Sequence, residues 1–104
     1  MTAKECYMAG LGKLGAGEFE GAIGCFQKAL EVDEGFFIAI LGWAQALDRQ
    51  GKVDEAIEQI KKAIAIAPDE ALAHTSLSRL YQQKGMIPEA EAEMAISQRL
   101  SAKV

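Results

Sequence analysis

Little in this chain of 104 residues advertises chemistry. Its two cysteines, Cys6 and Cys25, form neither a CxxC pair nor a zinc-binding pattern. They are expected to be reduced, half-buried thiols in a cytoplasmic protein. There is one histidine, His74, where metal binding wants three or four convergent ligands. Basic residues are scattered among acids: 11 Lys and Arg against 15 Asp and Glu leave a net charge of −4. That balance argues against a nucleic-acid partner, which needs clustered cations on one face. No segment approaches the roughly 18 apolar residues of a membrane span, so no membrane insertion is expected. The opening MTAKECYMAG lacks the unbroken apolar run of a signal peptide. Sustained period-two alternation and hairpin turn chemistry are missing too, which excludes a sheet protein. Half the residues are apolar and a quarter charged, and the length suits one globular domain with a modest core.

Glycine, by contrast, is plentiful: ten residues, seven of them before residue 36. Gly10, Gly12 and Gly15 spell G-x-G-x-x-G, and Glu31 and Asp33 follow near the spacing of a ribose-binding carboxylate. A dinucleotide turn must follow a strand and open a helix, so that the helix N-terminus meets the pyrophosphate. Here AKECYMAG, ahead of Gly10, reads as the first turns of a helix. No G-K-[ST] follows the glycines either, so a Walker loop fails, and no cofactor is expected.

A shift of 34 residues brings the chain into register with itself. Gly17, Gly51 and Gly85 coincide, as do Ala22, Ala56 and Ala90, then Phe26, Ile60 and Met94, then Ala29, Ala63 and Ser97. Repeats over 3–36, 37–70 and 71–104 account for all but two residues and form a single domain. Each reads as two helices. Ile40, Trp43, Ala44 and Leu47 recur at i, i+3, i+4 and i+7. Gly51 stops that helix, and Val53 to Ile66 carries a second stripe through Ala56, Ile57, Ile60, Ala63 and Ile64. Pro68 ends the second helix, Asp69 is placed to cap the next, and Pro88 sits in a first turn, where its missing N–H does no harm.

Trp43, Ala44, Leu47, Ala56, Ile60, Ala63 and Pro68 in the middle repeat fall at the signature positions of the tetratricopeptide repeat, which the chain closely resembles. Leu77, Ser78, Tyr81, Ala90, Met94 and Ser97 match in the third repeat. The first is weaker, with Lys13 where an aromatic is usual and Glu34 where proline is usual. The resemblance implies an all-α, right-handed superhelical solenoid of six antiparallel helices, acting as a non-catalytic protein-interaction module. His74 falls in register with Cys6 and Ile40, an interior position of each first helix. The carboxylates Glu18, Glu20, Asp54, Glu55, Glu58, Glu89, Glu91 and Glu93 read as solvated outer faces of second helices, with i,i+4 support such as Glu58 to Lys62.

Such repeats typically bind peptides on a concave face lined by first helices, so the partner-binding residues are sought there. By register the candidates are Tyr7, Met8, Leu11 and Leu14 in repeat one, Ile38, Leu41, Gln45 and Arg49 in repeat two, and Leu72 and Arg79 in repeat three. Lys4, Gly42, Asp48, Thr75, Ser76, Gln82 and Gln83 share those faces. One subfamily clamps the C-terminal carboxylate of chaperone tails with Lys, Asn and Arg. The corresponding positions here are Tyr7, Leu11, Gly42, Leu72 and Ser76, none basic and none Asn, so that clamp is rejected. What remains is a groove apolar over its first two repeats and polar in the third, suited to an apolar or amphipathic partner segment with Arg79 and Arg49 steering polar ends. This resembles how secretion chaperones with three such repeats hold their clients. The competing reading places some of these residues in the core, because a helix boundary displaced by one residue turns the face by about 100°. A second function class is self-assembly. AEMAISQRLSAKV keeps Met94, Ala95, Ile96 and Leu100 without a polar capping helix after Val104. Either the sixth helix runs long, or another copy of the chain covers that edge, or the domain belongs to a longer protein. Repeat one, with Gly10, Gly12, Gly21 and Gly24 inside its helices, is expected to be the least stable unit.

Overall fold

The computed structural model describes residues 1–102. Six helices follow one another: α1 (Ala3–Gly15), α2 (Phe19–Val32), α3 (Phe37–Arg49), α4 (Val53–Ile66), α5 (Ala71–Gln83) and α6 (Ile87–Ala102). Among the described residues there is no strand. The periodicity of the sequence becomes a periodicity of backbone: α1, α3 and α5 start at Ala3, Phe37 and Ala71 and end at Gly15, Arg49 and Gln83. The expected uncapped edge at Val104 lies outside the described residues.

Each first helix stops in the same way. Gly17, Gly51 and Gly85 adopt φ of 80°, 80° and 76°, a region closed to most side-chain-bearing residues. Their N–H groups donate to the carbonyls of Leu14, Asp48 and Gln82 at 2.9–3.1 Å. The next N–H groups, of Glu18, Lys52 and Met86, reach back to Lys13, Leu47 and Tyr81 at 2.9 Å. This paired closure is a Schellman motif, which satisfies the orphan carbonyls while turning the chain into the antiparallel second helix. At the other end, Thr2 caps α1 in a reciprocal box. Its side chain accepts from the Glu5 N–H at 3.1 Å, and the Glu5 carboxylate accepts from the Thr2 N–H at 2.8 Å. Asp69 does not cap α5. The N-cap is Glu70, with no side-chain hydrogen bond, because the turn after Pro68 runs one residue longer than the sequence reading allowed.

Two apolar clusters share α3 between them. The first unites Cys6 and Leu14 of α1 with Ala22, Phe26 and Ala29 of α2 and Ala39 and Ala46 of α3. The second unites Ala44 and Leu47 with Ile57 and Ile60 of α4 and Leu77 and Leu80 of α5, and half-buried Trp43 packs against both. Neither helix of a pair could bury its stripe alone, so stacking is the source of stability. The tightest approach surrounds Phe26, which is fully buried. A Cβ built on Gly10 would lie 2.6 Å from its ring, and one built on Gly42 would lie 2.7 Å from it. The ring tip is wedged between α1 and α3, and the two glycines make that possible. Gly12 and Gly24 face open space, and a Cβ on Gly21 would meet only the flexible Lys13 side chain.

Repeat three is held differently. Ser78, fully buried, donates to the Ala90 carbonyl at 2.7 Å, and the Thr75 and Ser97 hydroxyls are 2.6 Å apart. His74 does have partners: Nε2 donates to the Pro68 carbonyl at 2.9 Å, and Nδ1 lies 2.8 Å from the Glu93 carboxylate. Glu93 is therefore not a solvated outer-face acid, and its side chain is only 20% exposed. The ion pair of Glu58 is with Lys61, one residue closer than the expected Lys62, at 3.9 Å on an exposed face. At that exposure it contributes little.

Candidate functional site

The first helices of the three repeats come together around one hollow of about 210 Å³. The register of 34 residues puts equivalent faces of α1, α3 and α5 side by side, and the hollow forms where they meet. From α1 come Tyr7 and Leu11, and from α3 come Ile38, Leu41, Gly42, Gln45 and Asp48. From α5 come Leu72, Ser76 and Arg79. Leu11 and Leu41 are half-buried, while Ile38 is 37% and Leu72 58% exposed. The floor is made by Ala44 and Ile60, which the sequence reading assigned to packing alone, and by Leu80, which it did not single out. The signal was present in the register. Ile60 stands where repeat one has Phe26, and the smaller side chain leaves space in repeat two that the Phe26 ring fills in repeat one.

The groove residues read from sequence divide under this geometry. Tyr7, Leu11, Ile38, Leu41, Gln45, Leu72 and Arg79 are brought together on the hollow. Leu14 is not available to a partner. It continues the row Cys6, Gly10, Leu14, spaced by four, and is buried in the first cluster at 5% exposure. Met8 and Arg49 are exposed but stand outside the hollow. Thr75 turns toward Ser97 of α6 rather than into the groove. The third repeat is also less polar here than expected, since Leu72 gives it an exposed apolar side chain.

Tyr7 is fixed at the mouth by two tilted aromatic contacts, 5.9 Å from Phe26 and 5.7 Å from Phe36 between ring centroids. Partial burial raises its phenol pKa above the ordinary value, so the ring presents a neutral hydroxyl. Asp48 accepts a long hydrogen bond from Gln83 at 3.4 Å. Among the described residues no carboxylate pairs with the Arg79 guanidinium. Tyr7, Leu11, Gly42, Leu72 and Ser76 all line the hollow. Cys6 and Cys25 are free thiols, and no cluster of three His, Cys, Asp or Glu side chains suited to a metal ion occurs among the described residues. No described helix is long and apolar enough to cross a membrane.

A family model for the tetratricopeptide repeat matches residues 13–80 and 49–97. The Protein STIP1 homolog of Dictyostelium discoideum is 39% identical over 70 residues, which are 67% of this chain and 12% of that protein. The chain thus spans about an eighth of that curated relative. Among solved structures, MamA is 26% identical with a TM-score of 0.89, over 98% of this chain and 60% of that one. PcrH, solved in complex with the chaperone binding region of PopB, is 19% identical with a TM-score of 0.89 over 98% of this chain and 82% of its own. At that identity the likeness to PcrH is one of fold.

Proposed function

The chain belongs to the tetratricopeptide-repeat family, and we propose that it is a non-catalytic protein-interaction scaffold whose groove takes an apolar or amphipathic segment of a partner protein. The observation that carries this reading is the convergence of Leu11, Ile38, Leu41 and Leu72, from three different helices, on one solvent-open hollow. Scattered surface leucines need no explanation, but a contiguous set lining a concavity does. The size of the hollow favours a peptide. Small-molecule sites run to roughly 300–1,000 Å³, whereas about 210 Å³ suits one or two anchoring side chains of a longer segment. PcrH, on the same fold, is solved in complex with a region of PopB, which supports an interaction role for this fold. Clamping of a C-terminal carboxylate is not proposed, because the five positions hold no Lys, Arg or Asn. The test is a pull-down from the source cell with mass spectrometry, followed by titration of the purified partner. A Leu11→Glu, Leu41→Glu variant that stays folded is expected to lose the partner. Leu72→Glu, at a position too exposed to affect the core, is expected to weaken it as well. Retention of full affinity by both variants overturns the reading.

Self-association is a second reading, favoured by an apolar depression along α6 between Ala92, Ala95, Ile96 and Ala102. Light scattering over a concentration series tests it, and a strict monomer at high concentration ends it.

A further inference from the structure

Charge is unevenly divided between the two layers of this solenoid. The helices that bring side chains to the groove, α1, α3 and α5, hold Lys4, Lys13, Arg49 and Arg79 against only Glu5 and Asp48, a net charge of +2. The outer helices α2, α4 and α6 hold eight acids against four bases, a net charge of −4, equal to that of the whole chain. Three cations are already engaged: Lys61 faces Glu58, Lys84 pairs with Asp54, and the Lys13 stem lies over Gly21. Of the four cations on α1, α3 and α5, only Arg79 stands on the hollow. It lines the apolar hollow, and no carboxylate of the described residues answers it. The nearby acid of the groove, Asp48, takes its hydrogen bond from Gln83 instead.

Resting on the groove reading above, we infer that the segment docked there is acidic as well as apolar, with an Asp or Glu side chain of the partner placed against Arg79 while an aliphatic side chain enters over Ile60. Two features support this pairing. A guanidinium offers several donors in a planar fork that matches a carboxylate. The apolar walls formed by Leu72 and Leu41 seat an aliphatic side chain of the same segment beside it, while the ion pair itself stays solvent-facing and open to screening by salt. The acidic outer layer then acts as a filter on approach: it repels an acidic segment everywhere except over the groove helices, which selects the concave face during encounter. A basic amphipathic segment meets the opposite field. It is drawn to α2, α4 and α6 and repelled at Arg79.

Three fluorescein-labelled 15-residue peptides test this, acetylated and amidated so that no terminal charge intervenes. All carry Leu at positions i, i+3, i+4 and i+7, and their polar positions are Glu, Gln or Lys. Anisotropy titrations at low and high salt are read against the wild-type protein and the variants Arg79→Gln, Arg49→Gln and Leu41→Glu. The Glu peptide is expected to bind tightest, and to lose roughly fivefold in Arg79→Gln, the ceiling for a solvent-facing ion pair. Arg49→Gln, outside the hollow, should leave it unchanged, and added salt should remove the advantage over the Gln peptide. Equal binding of the Glu and Gln peptides, or equal losses in Arg79→Gln and Arg49→Gln, overturns the charge inference. In that case the groove reading survives as long as Leu41→Glu weakens both peptides. If Leu41→Glu weakens neither, or if no peptide binds at millimolar concentration, the groove reading falls and the inference falls with it.

Discussion

Adding a single methyl group to a glycine should have opposite signs at different places in this molecule. In Gly42→Ala the new Cβ would stand 2.7 Å from Cζ and 2.8 Å from Cε1 of Phe26, and in Gly10→Ala it would stand 2.6 Å from Cε1. Phe26 has no exposed surface into which to swing, and Tyr7 stacks 5.9 Å away. The ring can yield only by withdrawing toward α2 or by pushing α1 and α3 apart. Overpacking of this kind costs about 1–3 kcal/mol, and the gain in helix propensity from Gly to Ala returns about 1 kcal/mol. Gly12→Ala and Gly24→Ala receive the same return with no clash, since nothing lies within 4 Å of either added Cβ. The two pairs should therefore differ by about 1–3 kcal/mol. In a domain of this size that separates their midpoints by on the order of 10 °C. Thermal and urea unfolding followed by circular dichroism measures the difference. A Phe26→Leu background, which removes the ring tip, should abolish most of the penalty of Gly42→Ala and so reveal coupling of about 1 kcal/mol. If Gly42→Ala stabilises the wild-type protein as much as Gly12→Ala does, the wedge around Phe26 is not a constraint and the reasoning fails.

Three further outcomes are expected. Replacing His74 by Phe removes the ring nitrogens that face the Glu93 carboxylate and the Pro68 carbonyl, and should cost about 1–3 kcal/mol in urea unfolding; a loss too small to measure refutes the structural role of the imidazole. The hydrogen bonds from Thr2 to the Glu5 carboxylate lower the Glu5 pKa in the folded state. That stabilisation is fully present above the unfolded-state pKa and is lost as the pH falls through the lowered folded value. Glu5→Gln, which removes the titrating group while keeping an acceptor for the Thr2 N–H, should flatten this acid limb in a pH series of unfolding midpoints, and an unchanged limb contradicts it. In native-state hydrogen exchange, amides of residues 3–32 should exchange faster than those of residues 37–66, because Gly12 and Gly24 weaken their helices without making close contacts; equal or greater protection in the first repeat would falsify this ordering.

How much of this was legible beforehand differs from residue to residue. The Val53–Ile66 boundaries of α4 follow from the sequence alone, because Gly51 and Pro68 bracket an apolar stripe of helical period. The left-handed turns at Gly17, Gly51 and Gly85 were equally legible, since one residue type meets one backbone requirement at a fixed spacing. Single faces of single helices were not. Leu14 reads as groove-facing and is core, and Thr75 reads as groove-facing and bonds α6, because near a helix end a few tens of degrees of rotation decide between two neighbours. The partners of His74 lie 6 and 19 residues away, on elements whose approach no local pattern encodes.

By itself the sequence determined the repeat, the helix order, the turns and the helical setting of Gly10, Gly12 and Gly15. These rest on local propensities and on a 34-residue periodicity, both of which survive any modest change in packing. Tertiary structure decided which glycines are needed for close approach, which acid packs against the histidine, and which partly exposed leucines share one hollow. Those outcomes depend on the distance and rotation between helices, and that geometry is set by the sum of all contacts. In GLGKLGAGEFEGAIG, Gly10 makes room for Phe26 and Gly17 makes the turn, while Gly12 and Gly24 meet nothing.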